Sequence, residues 1–202
     1  SFDYDNNNVD LMLYSHTGDF MNLISNKVNL LGENKKYSTF RKSIGQIFKE
    51  KQFLSGLTRL MTRKNCTKIA NKLNLSESSY VQMQLMWKYA IKFLPKLNKE
   101  YDLAISYLWP HYFVAEKVNA KKKVAWIHTD YSKLDTDIDE DLKIWDRYDC
   151  IFAVSEECKN SFLNKYSSLK NKVKVLENIT AVNFIKMMAE EEVKDFNVSE
   201  NE

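Results

Sequence analysis

From Asp102 onward the chain alternates short apolar runs with longer amphipathic ones, and few folds satisfy that rhythm. Strand-like runs lie at Leu103 to Tyr107, Lys123 to Ile127, Cys150 to Val154 and Val173 to Leu176. Helical spacing separates them around Tyr112 to Val118, Asp139 to Trp145 and Glu156 to Tyr166, and follows the last run from about Ala181 to Phe196. Strands alternating with helices call for right-handed crossovers and therefore a parallel sheet. The all-apolar runs Val124-Ala125-Trp126-Ile127 and Ile151-Phe152-Ala153-Val154 predict burial on both sides, so the expected fold class is α/β, with helices on both faces of the sheet.

Sheets of this kind bind ligands outside the carboxyl ends of their strands. Tyr107, His128-Thr129-Asp130, Ser155-Glu156 and Asn178 each stand at or just after the end of a strand run, so they are expected to open on one rim. His128 with Asp130 suits a general acid/base pair, a phosphate contact or a sugar-hydroxyl contact; the plainer reading is a strand-end histidine bonded to a neighbouring loop. Ser155 before Glu156 and Glu157 is a good helix N-cap, and those glutamates would repel a phosphate. His16, His111 and His128 are far apart without HxH or HxxH spacing, so no metal site is expected. GxGxxG, GxxxxGK(S/T) and GxSxG are all absent from the sequence.

The amino-terminal half reads differently. Val9 to Tyr14 and Lys27 to Leu31 are strand-like around the turn His16-Thr17-Gly18-Asp19. Phe40, Ile44, Ile47 and Phe48, then Phe53, Leu54, Leu57, Leu60 and Met61, recur at helical spacing and predict one apolar face. Tyr80 to Leu97 repeats the pattern, with Pro95 near its end. Between Lys35 and Lys72 stand eleven basic residues against Glu50 alone. A solvated helix face is the plain reading of such a run. The size of the excess and the interleaved apolar residues favour an amphipathic surface for anionic lipid, with Lys42, Lys49, Arg59 and Arg63 as contacts. Nucleic acid is not expected, since no helix-turn-helix, RNP or zinc-finger signature is present.

At 202 residues and 44% hydrophobic content the chain can bury a sizeable core. Cys66, Cys150 and Cys158 form an odd set without a CxxC pair, which suits a reducing compartment and a cytoplasmic location. The acid-rich residues from Glu190 to Glu202 read as a solvated tail.

The ordered set YDLAISYL, KKVAWIHTD, DCIFAVSEECKNSFL and KNKVKVLENI resembles the amino-terminal domain of family 4 glycosyltransferases. Bacterial enzymes of capsular and surface polysaccharide synthesis are especially similar. The resemblance covers nearly the whole chain, with VDLMLYSHTGDFMNLISNKVNLL matching the second and third strands. It implies half of a GT-B fold: a Rossmann-like acceptor-side domain over residues 1–180, then a helical linker and tail over 181–202 leading to a donor domain absent from this chain. The activity implied is metal-independent, retaining transfer from a nucleotide sugar to a glycan or polyprenol-linked acceptor, without a cofactor, at the inner face of the plasma membrane. By the same resemblance His128 faces the transferred sugar as the catalytic group, while Asp130, Ser155, Glu156 and Asn178 bind substrate; Tyr107 joins the substrate-binding set by its place at a strand end. The family's first strand and Gly-Gly loop have no counterpart here, so a gap is expected between the second and fourth strands. Thr180 and Ala181 stand where an acid commonly follows the asparagine, and Trp109-Pro110 where Glu-Gly is frequent. The reading is thus of a fragment inactive alone; the alternative is a non-catalytic module of the same fold that binds carbohydrate or a partner.

Overall fold

Two short strands open the computed structural model, which describes residues 3–179 and 182–190. β1 (Asp10–Leu11) and β2 (Asn29–Leu30) pair in parallel with each other. Four helices follow: α1 (Lys35–Ser38), α2 (Ile44–Lys49), α3 (Phe53–Leu73) and α4 (Ser79–Ala90). The main sheet then forms from β3 (Glu100–Ser106), β4 (Asn119–Ile127), β5 (Cys150–Ala153) and β6 (Val173–Val175), side by side in that order and all parallel. Its crossovers are α5 (Tyr112–Lys117), α6 (Ile138–Trp145) and α7 (Glu156–Lys165). The expected last helix is seen as α8 (Val182–Ala189), and the acidic tail beyond Glu190 lies outside the described residues.

The last two crossover helices are started by their own sequence. The Asp137 carboxylate accepts from the Glu140 amide, and Asp139, Glu140 and Asp141 place charge against the positive end of α6. Ser155 does the same for α7, its hydroxyl accepting from the Cys158 amide.

Because neighbouring strands are consecutive in sequence, right-handed crossovers carry α5, α6 and α7 to one face of the sheet. Ala104, Ala125, Ile127, Ile151, Ala153 and Val173 point that way and join one core with Tyr112, Phe113, Trp145 and Phe162. Cover is thin on the other face, where Leu103, Tyr107 and Leu176 are exposed and Trp126 and Phe152 are half-buried. Trp126 and Phe152 shelter each other instead, their ring centroids 4.7 Å apart. An all-apolar strand therefore marks the middle of a sheet without saying what covers each side.

Among the described residues no ladder joins β1 to β3. Asp10 bridges the two sheets: its carboxylate, 6% exposed, accepts from Lys99 Nζ at 2.8 Å, Tyr101 Oη at 2.9 Å and Asn29 Nδ2 at 2.8 Å. The helical half is fixed to α5 by aromatic rings. Tyr37 and Trp87 lie 6.1 Å apart, Tyr37 meets Phe113 edge-on at 5.0 Å, and Trp87 stacks on Tyr112 at 5.4 Å.

The single apolar face predicted through Phe40 to Met61 breaks in two. Ser43 and Gln46 form a capping box that starts α2 anew, and Lys51 turns the chain at a positive φ of 59° before α3. α3 then packs through small and polar residues: Gly56 lies against the Phe48 ring so closely that a Cβ would stand 2.6 Å from Phe48 Cζ, and Thr58, Thr62 and Cys66 are buried. Phe53, Leu54, Leu57, Leu60 and Met61 face outward. Two of the four cations expected at a membrane are engaged in the fold. The Arg59 guanidinium turns inward to donate to the carbonyls of Thr39, Phe40 and Lys42 at 3.1 to 3.2 Å, and Lys42 pairs with Glu50 at 2.8 Å. Arg59 closes the open end of the Thr39–Arg41 turn, so it is not available to a lipid headgroup. Lys49 and Arg63 are exposed.

Two measurements test this account. Asp10→Ala strands the Lys99 and Tyr101 donors and should lower the urea unfolding free energy by about 1.5–3 kcal/mol, the usual value of hydrogen bonds to a charged group. Asp141 on α6 accepts from Tyr166 Oη, and burial pushes its carboxyl up from 3.8 to about 6. The folded state therefore holds that proton more tightly than the unfolded one, and the contribution of Asp141 is lost as pH rises. Relative to Asp141→Asn, the wild type should lose about 2 kcal/mol between pH ~4 and ~6. Denaturation curves of both proteins at each pH will show it.

Candidate functional site

The strand registers bring the polar rim together. Ser106 pairs with Ala125 and Ile127 with Ala153, so β3, β4 and β5 end nearly in step, and the residues after them emerge side by side. A cleft of about 250 Å³ opens there, lined by Tyr80, Leu108, Trp109, His111, Trp126, Ile127, His128, Thr129 and Tyr131. It is smaller than the roughly 300–1,000 Å³ of pockets for drug-sized ligands, and its size suits a single ring. Tyr80 reaches it from α4 and meets Trp109 at 4.5 Å between centroids. The Trp109–Pro110 peptide is cis.

His128 is the polar group of the cleft with the clearest unmet need. Its ring meets Tyr107 edge-on at 4.6 Å, and its Nε2 is buried without a hydrogen-bond partner among the described residues. Such an atom carries an uncompensated desolvation cost of about 1–3 kcal/mol, which a ligand hydroxyl or phosphate oxygen would relieve once the ring turns to present it to the cleft. Tyr107 is itself exposed and also packs on Trp126 at 5.9 Å, forming a shelf beside the opening.

The remaining expected site residues are placed elsewhere or are already engaged. Asp130 accepts from the Ser132 amide at 3.0 Å and the Ser132 hydroxyl at 2.7 Å, which hold its carboxyl below the usual range; it caps a turn and does not line the cleft. Ser155 is occupied as the N-cap of α7, and Glu156 pairs with Lys159 at 3.1 Å. Asn178 is exposed three residues beyond β6. The structure thus brings His128 and Tyr107 together with the cleft and leaves Asp130, Ser155, Glu156 and Asn178 outside its lining.

Sequence patterns missed His111 and the aromatic walls. His111 also lines the cleft, and its Nδ1 is 2.8 Å from Ser106 Oγ. Burial, with a smaller push from His128, drives its imidazole down to about 3, so it stays neutral. The spacing of Ser106 and His111, one on β3 and one at the start of α5, was the available signal. Trp109, Trp126, Tyr80 and Tyr131 read as ordinary core aromatics in one dimension. His16 also has a buried, unpartnered Nε2, but it does not line this cleft. Among the described residues no group of three or more His, Cys, Asp or Glu side chains is placed to hold a metal ion.

The neutral His111 has a direct test: its imidazole proton shifts should stay flat from pH ~8 to ~4, below the ordinary histidine value of about 6.5. Ser106→Ala should cost about 1–3 kcal/mol in chemical denaturation by leaving the buried Nδ1 unpaired. No protein-family model, no curated protein and no solved structure matches this chain, so the chemistry of the cleft is read from its own residues.

Proposed function

We propose that this chain is the acceptor-side domain of a GT-B glycosyltransferase, with the rim cleft as the wall that faces the transferred sugar. The buried, unpartnered His128 Nε2 in a ring-sized aromatic cleft carries the reading. Sugars offer hydroxyls to polar atoms and C–H faces to aromatic rings, and the cleft supplies His128 and Thr129 for the first and Trp109, Trp126 and Tyr80 for the second. The four-stranded parallel sheet with its crossover helices and the motif resemblance support the same assignment.

In this reading a nucleotide-sugar donor sits on a second domain facing the rim, transfer proceeds with retention and without a metal, and the acceptor is a glycan or polyprenol-linked sugar. His128 holds a sugar hydroxyl and stabilises charge that develops at the reacting centre, while Tyr107 fixes its ring from the side. Asp130 acts through the shape of the turn after Thr129, since both of its observed bonds go to Ser132.

A binding module is the second reading, favoured by the engagement of Asp130, Ser155 and Glu156 in local caps and pairs. Turnover separates the two. In the enzyme that contains this chain, His128→Ala should lower turnover by about two orders of magnitude with the fold intact, comparable to losing one charge-stabilising donor. Saturation-transfer NMR of free hexoses on the isolated chain should show contact that weakens in Trp126→Ala. Hexose contact with no turnover in the intact protein would favour the module; absence of both would remove the sugar reading.

A further inference from the structure

We infer that the outer face of α3 is a docking surface for an anionic lipid membrane. α3 runs for 21 residues and turns its small and polar side inward, against α2 and α4. What faces outward is an apolar stripe: Phe53 is 58% exposed, Leu54 55%, Leu57 52% and Met61 51%. Their spacings of one, three and four residues place them on one side of two turns, together with exposed Leu60. Further along the same side the helix changes character, and Lys64, Lys68 and Lys72 continue the stripe, all exposed. The surface is therefore apolar at the amino-terminal end and cationic toward the other, with Lys49, Lys51 and Arg63 beside it.

Five large apolar side chains lie in water on a helix that could have buried them, while threonines occupy the inner side. Exposed apolar patches of this continuity mark an interaction site. Charge decides the occupant. From Lys35 to Lys72 the one acid, Glu50, is bound to Lys42, so nothing on this face complements a second copy of itself. Two such faces brought together in parallel would oppose lysine to lysine, and antiparallel would lay lysines over leucines with no acid to pair them. A phosphate-rich surface over an apolar layer matches both halves: the leucine end enters the acyl boundary and the lysine end follows the headgroups, each lysine adding about fivefold to binding. Among the described residues no helix is long and apolar enough to cross a membrane, so the contact is peripheral.

Docking would also orient the rim. α3 packs along α4, and the first turn of α4 supplies Tyr80 to the cleft. A membrane under α3 thus carries the cleft wall with it. The inference does not depend on the sugar reading.

Co-sedimentation of this chain with phosphatidylcholine vesicles, with and without about 30% phosphatidylserine, tests the surface at about 50 and 500 mM NaCl. Binding is expected with the anionic vesicles only, weakened at least tenfold at the higher salt. Two double variants should each reduce it at least tenfold: Leu57→Ser with Met61→Ser, and Lys64→Glu with Lys68→Glu. Both lie on the outer side and should leave the thermal transition in place, which circular dichroism checks. Equal binding to both vesicles, no binding by the folded protein, or full binding by the serine variant would each overturn the inference. So would a concentration-dependent dimer, by light scattering, that the serine variant abolishes; it would give the face to a second copy.

Discussion

The ladder from β3 through β4 to β5 is the constraint on which the rest depends. Parallel strands hydrogen-bonded in fixed register must end in a fixed order, and here Ser106, Ile127 and Ala153 end within a residue or two of each other. Whatever follows them is delivered to one place. A slip of one residue would turn Ser106 and Ile127 out of the core and send Trp126 into it. The same register sets Ser106 inward, where it meets His111, and leaves His128 as the first residue beyond β4. The cleft is thus a consequence of backbone pairing before it is a consequence of any side chain.

Two further devices hold the helical half to this sheet. Aromatic rings do so in the core, where Tyr37 and Trp87 close on Tyr112 and Phe113 of α5. A buried carboxylate does so at the edge, where Asp10 collects donors from β2, from β3 and from Lys99 just before it. Neither device supplies the continuous backbone pairing that a strand between β1 and β3 would give. Side-chain bridges of this kind are specific but local, so the junction between the two sheets rests on few groups.

The carboxyl-terminal half was legible in the sequence because each element there states itself locally. VAWI and CIFA are strands by composition, and Ser155 announces the helix after the second of them. Legibility failed where the outcome depended on a third element. Phe53 to Met61 has the period of a buried face, but Gly56 lets α3 approach Phe48, Thr58, Thr62 and Cys66 are buried, and the helix settles with its leucines outward. In the sequence Arg59 is one cation among eleven, whereas in the fold the carbonyls of Thr39, Phe40 and Lys42 surround it. Asp130 follows His128 by two residues, yet Ser132 claims its carboxylate first. A one-dimensional pattern records which residues share a face. It does not record which of two faces wins the neighbour.

An unpaired buried atom is weak evidence by itself, and this molecule shows why position matters. Trp87 Nε1, Trp145 Nε1 and Tyr112 Oη are also buried without a partner among the described residues. All three belong to residues of the aromatic core, where stacking repays part of the cost. His128 differs in facing a cleft whose walls are aromatic and whose floor includes a neutral histidine. A neutral His111 adds no net charge to the cleft. The arrangement therefore offers a ligand one unpaired ring nitrogen and several aromatic faces.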